Sequence, residues 1–434
     1  MPLRLSLSDT DFEERFDVLV NARREADEDV SADVRSIIGD VRSRGDTAVQ
    51  ELTQKFDNHD LEQTGWRISK TECEAALEGL EASLRVSLEL AALRIRDYHE
   101  GQIPDNRDYL DDAGVQIGAR WNAVERAGIY IPGGRAAYPS SVLMNAIPAK
   151  VAGVDKVIMV TPTPNGEVNQ LVLAAAELAG VDEIWRIGGA QAIAALAFGT
   201  DSIEPVDVVT GPGNAWVAEA KRQVYGVVGI DMVAGPSEIV VVADSKNDPD
   251  WIAADLLSQA EHDPTSQSIL FTDDARFADE VSEYVNKQLV NLATSDTAST
   301  SWNDNGAIII VDSFERALPL IDRLAAEHLE LAVDEPEALF NKIRHAGSVF
   351  LGRHTPEAVG DYVAGPNHVL PTGRRARFSS GLSVTDFMKR TSYISCDGQA
   401  LRNIGPAAVA LAEAEGLPAH AASVRKRLNK NDTP

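Results

Sequence analysis

Apolar residues fall at helical spacing over 31–44 and 46–56, and again over the longer stretch 71–98, where Leu, Ala and Ile share one face. Residues 115–121 and 124–130 then read as a β-rich pair. From 156 onward the rhythm changes. Short apolar runs at 156–160, 183–187 and 206–209 predict buried strands, each followed by a helix, over 168–178, 190–198 and 215–225. A second series follows. Strands are expected at 238–242, 269–271, 307–311 and 348–351. Asp248 and Pro249 suit the cap and first position of a helix running to about 261. A further helix is expected over 314–328. Short strands alternating with helices predict α/β architecture with parallel sheets covered by helices. The two series follow one another like a divergent duplication. From 381 the chain reads as a small, mainly helical tail with a basic end at 425–430.

Length and composition change this picture little. The 434 residues suggest two or three domains at roughly 150 residues each. No apolar run reaches the roughly 18 residues of a membrane span, and 1–7 does not read as a secretory signal. A cytoplasmic protein is expected. With two cysteines, Cys73 and Cys396, neither a disulfide framework nor a cysteine-rich metal site is possible. The net charge of -27 repels nucleic acid and anionic membranes. Its acids are spread along the whole chain, which reads as a halophilic solubility adaptation and not as a clue to the reaction.

Two strand–glycine–helix junctions carry the first chemical signal. They are Gly188–Gly189–Ala190–Gln191 and Gly211–Pro212–Gly213–Asn214. Glycines let backbone approach a ligand, and helix N-termini offer free N–H groups to a pyrophosphate. Neither matches the G-x-G-x-x-G fingerprint, and a tight turn explains either one alone. Two in adjacent units favour a nucleotide crevice at the carboxyl edge of a sheet. Tyr130–Ile131–Pro132–Gly133–Gly134 could stack on a nucleotide ring or serve as a hinge.

The second signal is ionisable. Gln259 and His262, three apart at a helix end, can reach one cation. A polar helix terminus explains them equally. Asp361 and His420 are the best further ligands, although spacing alone does not select them. Two imidazoles with oxygen ligands suit Zn²⁺. Glu327–His328, at the expected end of the helix over 314–328, could form an acid–base pair whose imidazole basicity is raised by the helix C-terminus. Two exposed polar residues is the plainer alternative. His59, His99, His345 and His354 read as surface or satisfied core histidines.

The segments taken together narrow this. The run Ile230–Asp231–Met232–Val233–Ala234–Gly235–Pro236–Ser237–Glu238 resembles the signature of histidinol dehydrogenases. The likeness continues through Gly211–Asn214, Gln259–His262, Ala326–Leu329, Gly365–Thr372 and Arg377–Leu382, in order, from about residue 30 to 420. The resemblance implies zinc ligands Gln259, His262, Asp361 and His420, and acid–base residues Glu327 and His328. It implies substrate contacts by Ser237, His368 and Glu415 along with His328 and the zinc ligands, and NAD contacts by Tyr130, Gln191 and Asn214. It implies a homodimer in which the tail, with Glu415 and His420, reaches the other subunit's site. The implied fold has two incomplete Rossmann-like domains with small helical accessory domains, an aldehyde-dehydrogenase-like architecture. Its expected division is 1–25 as an N-terminal helical segment, 26–129 with 239–381, an NAD-binding 130–238, and a C-terminal 382–434.

The implied reaction is the oxidation of L-histidinol through the aldehyde to L-histidine by two NAD⁺. Neither cysteine lies in a matched motif, so water and not a thiolate is expected to add to the aldehyde. Two rival readings are a zinc enzyme acting on another small polar alcohol and a zinc hydrolase, which would not use NAD⁺.

Overall fold

The computed structural model describes residues 1–22, 30–133, 138–233 and 235–428. The expected boundary at 25/26, Gly134, Ala234 and the last of the basic segment at 429–430 lie outside the described residues. The chain divides into two compact units, one of Met1–Gln102 with Glu125–Phe387, the other of Ile103–Val124 with Met388–Pro434.

The larger unit holds two six-stranded sheets. In the first, the strand order is Arg67–Ile68, Glu183–Trp185, Lys156–Val160, Arg126–Tyr130, Val208–Thr210, Gly229–Ile230, with only Arg67–Ile68 antiparallel to its neighbour. In the second it is Leu3–Ser6, Ala307–Ile310, Gln267–Thr272, Glu238–Ala243, His328–Ala332, Ser348–Leu351, all parallel. Setting aside the outer strand contributed from the N-terminal side, both sheets show the doubly wound order 3-2-1-4-5. The strands are apolar on both faces, as sheets sandwiched by helices require. Val240, Val242, Ile269, Phe271, Ile309 and Leu331 share a core on one face of the second sheet, and Val241, Leu270 and Ile308 on the other.

Local signals account for most helices. Asp248 caps Pro249–Ala260 by accepting from the N–H of Asp250, and Asn214 caps Ala215–Val224 by accepting from Val217. The single helix expected over 71–98 is two, Lys70–Glu78 and Ala82–Glu100. Gly79 ends the first, and the Glu81 side chain caps the second through the N–H of Ser83. The first, Ser31–Arg44, and its neighbour Asp46–Asp57 pack Val34, Ile38, Val41 and Val49 against Ile158, Val160 and Ile193 of the first sheet's core. The grouping of 26–129 with 239–381 had placed them with the second sheet.

Three local expectations are corrected. Within 1–25, expected to be helical, Leu3–Ser6 is a strand with Leu5 buried, and only Phe12–Asn21 is helical. The pair 115–121 and 124–130 forms strands in different sheets, Gln116–Ala123 and Arg126–Tyr130. The tail is not all helical. Met388–Ser395 pairs antiparallel along its whole length with Gln116–Ala123, which in turn pairs with Arg107–Leu110, in the smaller unit. Thr391, Tyr393 and Ile394 are residue types that suit a pleated surface. The helices Gly398–Ala414 and Pro418–Leu428 follow.

Phe271 is fully buried in the second sheet. Phe271→Ala should lower the unfolding free energy in urea by about 3–5 kcal/mol. A loss under about 1 kcal/mol would mean that this face of the sheet is not a packed core.

Candidate active site

The first sheet's strand order reverses between Arg126–Tyr130 and Val208–Thr210, where doubly wound sheets open a crevice at their carboxyl edge. All three expected NAD contacts lie on that edge. Tyr130 ends its strand, and its phenol oxygen accepts from the N–H of Gly189 at 3.2 Å. Burial pushes that phenol up to about 12, so it stays protonated. Gln191 is buried in the first turn of Gly189–Phe198. Asn214 is exposed at the start of Ala215–Val224 and spends one side-chain oxygen on its cap. The glycine turn between is obligatory. Gly211 has φ +112°, and a Cβ there would lie 2.1 Å from the Tyr130 carbonyl oxygen.

The chain leaves this carboxyl edge at Gly229–Ile230 and enters the second sheet at its amino edge with Glu238, only 231–237 intervening. Ser237, half-buried, ends this crossing, and its carbonyl accepts from Gln267 N–H at 3.0 Å.

Glu327 and His328 lie on that same amino edge, which corrects the expected helix. The helix Phe314–Leu324 stops at Ala325, in the left-handed region at φ +42°, and His328–Ala332 is a buried central strand. His-Leu-Glu-Leu-Ala aligns with Ile239–Ala243 on one side and with strand Ser348–Leu351 on the other. Sheet pairing on both flanks outweighs continuation of the helix. The electrostatic expectation fails with it. No helix terminus raises the basicity of His328, and burial lowers its pKa to about 3, with smaller repulsion from His262 and His368.

His328 is the hub. Its Nδ1 lies 3.1 Å from the Gln259 side-chain oxygen, 3.2 Å from the Glu238 carbonyl and 3.1 Å from a Glu357 carboxyl oxygen. Its Nε2 lies 3.7 Å from Asp361 and takes no hydrogen bond from the described residues. A ring neutral at ordinary pH makes none of these an ion pair. Glu327 accepts from the Glu238 N–H at 3.0 Å. Burial, then the charges of Glu238 and Asp361, pushes its carboxyl well above the usual range. Burial moves Asp361 up to about 7, and burial with neighbouring acids raises Glu357 strongly. His368 Nδ1 bonds the Asp361 carbonyl at 3.1 Å, and burial lowers that ring to about 4. His262, two residues past the helix Pro249–Ala260, is exposed as a residue. Crowding by protein still lowers its pKa, and its charge would oppose those of His328 and His368.

Gln259, His262, Glu327, His328, Asp361 and His368 are therefore brought together. Glu415, just past the end of Gly398–Ala414, and His420, on Pro418–Leu428, are exposed in the smaller unit. His59 and His99 are buried and hydrogen-bonded, to Thr163 and Thr64 and to the Ile95 carbonyl, as satisfied core residues should be.

Sequence reasoning missed Glu357. Ligating atoms of His328, Glu357 and Asp361 all lie within 4.8 Å of one another, a group able to hold a metal ion. The signal was present, since Glu357 and Asp361 are four apart on one helical stretch. The donors in this cluster are nitrogens and oxygens, and its buried acids outnumber nearby cations. That suits a divalent cation.

Comparison with known proteins follows the same lines. Residues 20–428 match the family model described as Histidinol dehydrogenase. The histidinol dehydrogenase of Zymomonas mobilis is 64% identical over 430 residues, covering 99% of this chain and 100% of its own. That of Rhodospirillum rubrum is 59% identical over 431 residues, 99% of each chain. A crystal structure of histidinol dehydrogenase from Elizabethkingia anophelis superposes with TM-score 0.93 at 37% identity, covering 98% of both chains.

The cluster predicts a pH signature. Asp361, at about 7 in the fold against an ordinary 3.8, adds stability that is complete below 3.8 and lost as pH rises through 7. His328, at about 3 against 6.5, adds stability that is complete above 6.5 and lost as pH falls toward 3. A cation must displace the Asp361 proton at pH 6 but hardly at pH 8. In thermal melts of metal-stripped protein, added Zn²⁺ should raise the midpoint more at pH 8 than at pH 6. Equal increments would mean that no carboxyl of this cluster gives up a proton to the metal.

Proposed function

This chain belongs to the histidinol dehydrogenase family, and we propose that it performs the four-electron, NAD⁺-linked oxidation of L-histidinol through L-histidinaldehyde to L-histidine that completes histidine biosynthesis. The observation that carries this is the convergence of Glu327, His328, Gln259 and Asp361 on one edge, joined by seven residues to an edge bearing the glycine turns.

Gln259, His262 and Asp361, with His420 from a second copy, would hold a Zn²⁺ ion. NAD⁺ fits the crevice beside Tyr130, Gln191 and Asn214, where a Cβ at Gly211 would meet backbone. When bound, the metal supplies a template for the substrate's amine and imidazole nitrogens, and the nicotinamide accepts hydride. Everything else falls to the chain. Ser237, His368 and Glu415 orient the polar ends of the substrate. His328, held neutral by burial, accepts the hydroxyl proton through Nε2, the nitrogen without a hydrogen-bond partner among the described residues. Glu357 and the Glu238 carbonyl, both on the Nδ1 side, fix the ring and its tautomer. Glu327 has one oxygen fixed by the Glu238 N–H; ionised only beside a bound cation, it would take on the other oxygen a proton from the water that adds to the aldehyde. The balance is histidinol, two NAD⁺ and water giving histidine, two NADH and protons.

Because Glu415 and His420 are exposed on the smaller unit, we assign them to the site of a second copy, making the enzyme a homodimer with shared sites. The domain reading keeps 130–238 as the NAD-binding part and 382–434 as the part that reaches the other subunit. No helix among the described residues is long and apolar enough to cross a membrane. The reading of a cytoplasmic, salt-adapted protein rests on the acidic charge of -27.

Purified protein mixed with L-histidinol and NAD⁺ should yield two NADH per histidinol and lose that activity to a chelator. One NADH per alcohol, or unchanged rates after metal removal, would refute the proposal. The thiols should be bystanders. Burial, then nearby acids, pushes Cys73 up to about 11, and Cys396 is exposed on the smaller unit. The double variant Cys73→Ser, Cys396→Ser should keep turnover within about twofold, where a thiolate trap would cost the 10²-fold or more typical of a lost nucleophile.

A further inference from the structure

Lys221 and Asp231 form an ion pair whose side chains are 2% and 1% exposed, so both charges are withdrawn from water. The pair does not lie in the acid cluster. It lies at the carboxyl edge of the first sheet and holds one residue from both sides. The Gly211 N–H donates to Asp231 Oδ2 at 2.8 Å, and the Gly211 carbonyl accepts from Lys221 Nζ at 2.9 Å. Both backbone polar groups of the obligatory glycine are thus bound by one ion pair. Asp231 also takes the N–H of Met232 at 2.6 Å, and its own N–H bonds the Val209 carbonyl.

Three elements meet there. Lys221 belongs to Ala215–Val224, the helix whose N-terminus follows the glycine turn. Asp231 opens the crossing that ends at Ser237 and Glu238. The turn is pressed against the Tyr130 carbonyl, so a displaced Gly211 would displace Tyr130 as well. A buried ion pair adds little net stability over apolar residues of the same shape. Its use here is geometric, in fixing where the turn and the helix N-terminus lie.

We infer that Lys221 and Asp231 are positioning residues for the dinucleotide, clamping the Gly211 turn so that the N-terminus of Ala215–Val224 is preset for a pyrophosphate. The inference rests on the NAD⁺ reading given above. It adds an electrostatic requirement. Asp231 brings a negative charge to the turn where a doubly negative pyrophosphate is received, and Lys221 cancels it. Without Lys221 the turn is loosened and the anion is repelled. Without the Asp231 charge the turn loses one anchor, but no repulsion remains.

The test is equilibrium titration with NAD⁺ alone, followed by quenching of tryptophan fluorescence. Trp216 lies in the first turn of the clamped helix. Wild type, Lys221→Met and Asp231→Asn are compared as full-length holoenzymes, with the KM for histidinol measured alongside. Lys221→Met should weaken NAD⁺ binding by about tenfold or more, and Asp231→Asn by a few-fold, tenfold being about 1.4 kcal/mol. The KM for histidinol should move by no more than about twofold in either. Asp231→Asn, nearly isosteric, carries the test should Lys221→Met fail to fold. The inference is overturned if the folded variants bind NAD⁺ within twofold of wild type, or if the KM for histidinol rises as much as the NAD⁺ dissociation constant, as general loosening would give. Failure of wild type to bind NAD⁺ would instead sink the proposed function.

Discussion

Several carboxyl groups and two imidazoles share a space largely closed to water, and burial there opposes charge on every one of them. Glu327, Glu357 and Asp361 are pushed toward the protonated form, while His328 and His368 are pushed toward the neutral one. Such an arrangement stores electrostatic cost in the protein alone. It becomes favourable when a cation enters, because ionised carboxylates and neutral imidazoles are the forms that ligate one. The chemistry of the site follows from that single constraint. The residues are kept in protonation states that a metal and a hydroxyl-bearing substrate can use, at the expense of the metal-free fold.

The fold supplies the place. Two sheets of the same strand order are joined so that the carboxyl edge of the first leads within seven residues to the amino edge of the second. Doubly wound sheets ordinarily receive ligands at the carboxyl edge, and the first sheet follows that rule with its glycine turns. The second contributes the opposite edge, where Glu238 and His328 begin adjacent strands in parallel register. Arg374 makes this edge rigid. It is fully buried and binds Glu238 Oε1 at 3.1 Å and the Gln267 side chain at 2.7 Å, though held in the left-handed region at φ +66°. A bulky residue accepts that conformation only where its surroundings fix it.

Much of this was legible in the residues. The alternation of apolar runs with helices gave the two parallel sheets. Asp248–Pro249 and Asn214 marked helix starts that the structure keeps. Motif order singled out Gln259, His262 and Glu327–His328 before any geometry was known. Other parts were not legible, for physical reasons. The expected helix over 314–328 runs on through 325–328 because Ala and Glu suit a helix, and the strand that begins at His328 carries no local signal of its own. That strand is decided by partners 89 and 20 residues away, Ile239 and Ser348. Helices 31–57 carry an apolar face that shows burial but not against which sheet. Glu357 belongs to no matched motif; its spacing of four from Asp361 is its one signal, and its position opposite His328 makes it part of the site.

The two halves of the site are built on different physical terms, which accounts for how unequally they show in sequence. The glycine edge depends on backbone. Gly211 tolerates no Cβ, and its N–H and carbonyl are both taken, so its identity is fixed by sterics that a reader can anticipate. The acid edge depends on side chains set two apart on a strand and four apart on a helix. Asp255 and Gln259, one helical turn apart, face Glu330 and His328, two strand residues apart. Rises of about 6 Å along the helix and about 6.6 Å along the strand nearly match. Gln259 meets His328 at 3.1 Å, and Asp255 and Glu330 pair one rung further on. That match of spacings extends the buried polar cluster beyond the reacting groups and makes the helix a ruler for the strand. A shift of one residue in either element would turn these side chains to other faces and separate His328 from Gln259.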